Sequence, residues 1–157
     1  MTNELQLLIE SLEKKKGILK DILQKSRQQG EAASAEQFDA EQFDSLVDEK
    51  SELLVRMDEM DQGFDSTFNR IKEELLANKD TYKKEIARMQ GLIRETVDLG
   101  AQIHATEVRT KESLERTLKN NRQELLKRRT SSKSVRDYYK ANSQLDFVGS
   151  YFIDQKK

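Results

Sequence analysis

The chain of 157 residues has no proline, no cysteine and no tryptophan, and it has one histidine. Without proline nothing forces a helix to break, and with 36% charged residues against 6% aromatic ones the composition suits long helices rather than a thick globular core. The missing cysteines exclude disulfides, thiol catalysis and cysteine-ligated zinc, and they give no mark of an oxidising compartment; the expected location is the cytoplasm. No apolar run approaches the ~20 residues of a membrane span. Met1 to Leu12 also lacks the basic start and cleavage site of a signal peptide, so neither insertion nor secretion by that route is expected.

Catalytic material is equally scarce. His104 follows the apolar Ile103 and joins no acid or nucleophile cluster, a position that reads as structural. Gly91 and Gly100 are nine residues apart in a helical pattern and form no phosphate-cradling loop; close helix contact or a slight bend is their expected use. The carboxylates show no metal-ligand spacing and suit a solvated face with i, i+4 pairs such as Glu52 with Arg56. No enzyme activity, metal or cofactor is expected.

What the chain does contain is apolar periodicity. Leu5, Leu8, Leu12, Leu19 and Ile22, widened by Ile9 and Leu23, predict a first helix over about 2–29, with Thr2 as its cap and Gly30 as its stop. Gly30 to Asp39 then reads as a connection. It contains the first copy of a tandem pentapeptide, Ala35 to Asp39 followed by Ala40 to Asp44, which a local duplication explains. The junction offers a helix start: Asp39 as N-cap, Gln42 as its capping-box partner and Phe38 facing Phe43 as a hydrophobic staple.

A second helix over about 40–77 follows from Phe43, Val47, Lys50, Leu54, Met57, Asp61, Phe64, Phe68, Ile71 and Leu75, spaced alternately by four and three. The seam runs through Gly63 at a cost of roughly 1 kcal/mol relative to alanine. Asn78 and Asp80 suit a turn, although no glycine or proline compels one, and fusion of the second and third helices there is the alternative. Tyr82, Ile86, Met89, Ile93, Gly100, Ile103, Leu114, Leu118 and Leu125 predict a third helix over about 80–140, roughly 90 Å long. The expectation is a single all-α domain spanning 1–157, an antiparallel three-helix coiled-coil bundle with an extended last helix and an apolar tail over 141–157.

Net charge is -1, but it is unevenly spread: residues 31–75 hold 14 acids against 4 bases, and 119–140 hold 8 bases against 2 acids. With alternating helices Ala40 lies beside about Leu118, so the acidic connection approaches the basic stretch. Mutual compensation is favoured there over a protein partner, and nucleic acid is the least favoured of the three. The same arithmetic leaves the third helix uncovered beyond Leu118. Leu125, Leu126, Val135, Tyr138 and Tyr139 then need to fold back, to pair two copies as a homodimer, or to receive a partner helix. Phe147, Tyr151, Phe152 and Ile153 in the tail call for docking too, on this bundle or on a partner. These nine residues are the expected partner-binding set.

The segments Leu46 to Leu54, Met60 to Asp65, Ile93 to Ile103 with Glu107 and Arg109 following, and Tyr151 to Lys157 together resemble the FlgN-type flagellar export chaperones of motile Gram-positive bacteria. The resemblance covers most of the chain. It implies a small cytoplasmic helical chaperone that binds terminal helices of hook-filament junction (hook-associated) proteins, prevents their early assembly and delivers them to the type III export apparatus. It also implies no cofactor, and cargo capture through the C-terminal part of the last helix. The pentapeptide duplication and the longer last helix depart from the family pattern. The rival expectation is a structural coiled coil whose seam pairs only with itself.

Overall fold

A computed structural model describes residues 1–120 as three helices, α1 (Thr2–Ser34), α2 (Ala40–Ala77) and α3 (Lys83–Asn120). The helices hold 33, 38 and 38 residues. Among the described residues there is no strand, as the composition predicts. The part of the expected third helix beyond Asn120, and the apolar tail, lie outside the described residues.

Three apolar clusters fix how the helices lie. Leu5, Leu8 and Leu12 of α1 pack with Phe64, Ile71 and Leu75 of α2 and with Met89, Leu92 and Ile93 of α3. In the middle, Ile18, Leu19, Ile22 and Leu23 meet Leu54, Met57 and Ile103. At the far end Ala32 and Ala33 meet Phe43, Val47 and Leu114. Residue numbers rise along α1 and α3 but fall along α2, so consecutive helices are antiparallel and α1 runs parallel to α3. Burial of side chains such as Ile22, Met57 and Ile103, each fully enclosed, stabilises the bundle by ~1.5–3 kcal/mol apiece.

Two expected ends of α1 are corrected. Its N-cap is Met1, without a side-chain cap bond, so Thr2 is already helical. Gly30 does not stop it; the helix continues to Ser34 and leaves through an extended Ala35 (φ -67°, ψ 147°). The stripe simply changes size there, from leucines to the buried Ala32 and Ala33, which fill the narrow space beside Phe43 and Leu114. The connection shrinks accordingly to 35–39.

The N-cap and the staple at the start of α2 are as read. Asp39 accepts from the backbone N–H groups of Glu41 and Gln42 at 3.1 and 3.2 Å, satisfying two of the orphan donors of the first turn. Phe38 and Phe43 meet with ring centroids 5.8 Å apart, the staple that fixes the entry angle. At the other end the chain turns at Asn78 without glycine or proline. The Asn78 backbone N–H donates to Glu74 O and Leu75 O, and its side-chain Nδ2 donates to Glu74 O at 2.8 Å, ending the helix by competing for its last carbonyls. Helices α2 and α3 are therefore separate.

Candidate functional site

The seams are not purely apolar. Each continues its three-four spacing through polar residues: Lys15 and Ser26 on α1, Lys50 and Asp61 on α2, Thr96 and Glu107 on α3. On every helix the two positions are eleven residues apart, three turns or roughly 16 Å. The bundle core is thus three apolar blocks separated by two polar layers.

In the first layer Lys15 Nζ lies 2.8 Å from Asp61 Oδ1, with the two side chains 11% and 13% exposed. Thr96 turns its hydroxyl back onto the Ile93 carbonyl at 2.7 Å. A rim pair between Lys16 and Glu95, at 2.9 Å, marks the same level on α1 and α3.

The second layer is buried. The Ser26 hydroxyl donates to Glu107 Oε1 at 2.6 Å, and Lys50 Nζ donates both to that oxygen and to Ser26 Oγ, the latter at 3.3 Å. One residue from each helix meets here, and the Lys50 and Glu107 side chains are 0% and 3% exposed. Burial pushes the Lys50 ammonium down to about 8, against the opposing pull of the Glu107 carboxylate. Gln29, Thr106 and Thr110 widen the layer, all buried. Gln29 Oε1 and Thr110 Oγ1 have no hydrogen-bond partner. Thr110 Oγ1 would lie 3.2 Å from a Cβ placed on Gly30, so this glycine serves the close approach of α1 and α3. Ser26, Lys50 and Glu107 are sealed from solvent, while Thr106 and Thr110 also line a surface cavity of about 520 Å³ between α1 and α3. The layer selects register: sliding any helix by a heptad would set a charge against leucine or isoleucine and leave its partner unpaired.

Among the described residues, an apolar groove of about 410 Å³ lies between the end of α2 and the start of α3. Phe64, Phe68, Leu75, Ile86 and Ile93 line it, with Lys79 and Lys83 at the turn. Phe64 and Phe68 stack at 6.2 Å with ring planes 10° apart, and Leu76 at its edge is 50% exposed. Such a slot suits the apolar stripe of an amphipathic helix. Among the described residues, no three His, Asp or Glu side chains lie close enough to hold a metal ion, and His104 is exposed.

All nine residues expected to bind a partner, Leu125, Leu126, Val135, Tyr138, Tyr139, Phe147, Tyr151, Phe152 and Ile153, lie outside the described residues. The edge of the bundle is nevertheless defined. Thr117 Oγ1 donates to the carbonyl of Ala33, next to the last residue of α1, and Leu118 packs beside Phe43 in the first turn of α2. The polar layers were partly visible in the sequence, where Lys50 and Asp61 occupy the α2 seam; Lys15, Ser26, Thr96 and Glu107 were missed because only apolar positions were followed on α1 and α3. Gly63 and Gly91 lie in open space, so Gly91 is no close contact.

Comparison of the chain with protein-family models, with curated proteins and with solved structures finds no match. No helix among the described residues is long and apolar enough to cross a membrane.

Proposed function

We propose that this protein is a cytoplasmic flagellar export chaperone of the FlgN type, which captures a terminal amphipathic helix of a hook-associated client and delivers it to the export apparatus. It acts without catalysis or cofactor. The observation that carries the reading is the common end of α1 and α2. There α1 ends and α2 begins, level with Thr117 and Leu118, while 37 further residues, with Leu125, Leu126, Tyr138 and Tyr139 among them, follow Asn120. The resemblance in sequence supplies the client class. Helix-in-groove capture supplies the mechanism, with leucines and aromatics each contributing ~1–4 kcal/mol where they anchor in a partner.

A second surface for the same activity is favoured by the apolar groove between α2 and α3, which would take the client at the opposite end of the bundle. Calorimetry with a synthetic client helix separates the two. Truncation after Leu118, or alanine at Leu125, Leu126, Tyr138 and Tyr139, abolishes binding on the first reading and leaves the melting temperature unchanged. Phe68→Asp abolishes it on the second. A protein that ignores the client in every form and gains stability only with its own concentration is a self-pairing coiled coil, and the chaperone reading then fails.

A further inference from the structure

Cooperativity in a helical bundle is carried by continuous apolar packing, and here that packing is interrupted unequally. The layer at Lys15 and Asp61 is the less enclosed of the two, its ion-paired side chains 11% and 13% exposed against 0% and 3% for Lys50 and Glu107. The layer at Ser26, Lys50 and Glu107 spans all three helices and is sealed. It is thickened by Gln29, Thr106 and Thr110, two of which hold unpartnered buried oxygens. Between Leu23 and Ala32 on α1 and between Ile103 and Leu114 on α3 no residue belongs to an apolar cluster, and between Val47 and Leu54 on α2 only the half-buried Leu53 packs against one. Beyond the layer, among the described residues, the cluster consists of two alanines, Phe43, Val47 and Leu114, with Phe38 and Leu118 against it. On the near side ten buried residues form the first cluster and seven the second.

We infer that the Ser26–Lys50–Glu107 layer divides the bundle into two cooperative units and that the smaller one, made of the end of α1, the start of α2 and α3 from about Thr110 onward, opens by itself. Opening breaks the Thr117 to Ala33 bond and the Phe38–Phe43 staple, and it frees the last turns of α3. The large unit stays closed. The inference does not depend on the client reading, but it deepens it: the length of α3 available to a partner would grow by about two turns, from Leu118 back toward Thr110.

Amide hydrogen exchange on the full chain, without client and in increasing sub-denaturing urea, tests this. Ala33, Phe43, Val47 and Leu114 should exchange about tenfold or more faster than Leu8, Ile22, Met57 and Ile103, and the four should share one shallow urea dependence distinct from the steep global one. The paired variant Lys50→Met with Glu107→Leu, which makes the core continuous, should bring the two sets to within about twofold of each other. One common urea slope for all eight amides in the native chain would overturn the division. A graded rise toward the helix ends, with no slope shared by the four, would mean simple fraying and would overturn it equally. A native chain that shows two slopes but a paired variant that keeps them would place the boundary elsewhere than at this layer, against the inference.

Discussion

The Lys50 ammonium and the Glu107 carboxylate, 57 residues apart in the chain, meet where neither side chain has more than 3% of its surface exposed. Taking two charges out of water is costly, and the contact with Ser26 compensates part of that cost. Removing one partner strands the other: Glu107→Leu or Lys50→Met alone should destabilise the bundle by about 3–5 kcal/mol. Replacing both should be neutral or stabilising by about 1–4 kcal/mol. Urea unfolding of the four proteins as a double-mutant cycle checks it, and additive single effects would show that the pair is not coupled.

The depressed Lys50 gives the bundle an alkaline signature. Below about pH 8 the amine is protonated in both folded and unfolded chains; between about 8 and its ordinary 10.5 only the unfolded chain still holds the proton. The unfolded state then binds more protons, so stability rises with pH across that window. Urea midpoints from pH 7.5 to 10 should climb in the native protein relative to the Lys50→Met, Glu107→Leu variant. Parallel curves for the two would contradict the assignment.

Three glycines make a graded set. Gly17 and Gly63 are helical and a Cβ on either meets nothing within 4 Å, so alanine should stabilise by up to ~1 kcal/mol at each through helix propensity alone. At Gly30 the Cβ would press on Thr110 Oγ1 at 3.2 Å, which should offset that gain. Melting temperatures should therefore rise for Gly17→Ala and Gly63→Ala, and rise less or fall for Gly30→Ala. A Gly30→Ala gain equal to theirs would show that α1 and α3 have room to separate.

At the start of α2, Asp39→Ala should cost ~0.5–2 kcal/mol, because two backbone donors lose their acceptor. Asp39→Ser or Asp39→Asn should recover most of it. Failure of both to do so in thermal unfolding would point to the charge rather than the cap.

Fold was more legible in this sequence than site, and the difference is physical. The α2 seam declares itself because large apolar residues recur at four and three, and Asp39 with Phe38 and Phe43 fixes its start through local chemistry alone. The end of α1 was misread because Gly30 carries the residue type of a stop signal, whereas its use depends on Thr110, 80 residues away and visible only in three dimensions. Glu107 was hidden for the same reason. A glutamate in a helix is ordinarily solvated, and only Lys50 arriving from α2 makes it a core residue. The expected partner-binding residues all fall beyond Asn120, so the described helices position their root and nothing more.

The order of the two core charges along α2 encodes a direction. Running antiparallel, α2 brings Asp61 to Lys15 and Lys50 to Glu107. Threaded the other way, the same helix would bring Lys50 to the level of Lys15 and Asp61 to the level of Glu107, two like-charge encounters of about 4 kcal/mol each at 4 Å in a partly desolvated setting. Leucine seams of regular period accept either polarity almost equally well. Here the middle helix carries a compass, and a topology built with it reversed, whether within one chain or exchanged between two, meets an electrostatic veto before its leucines can lock.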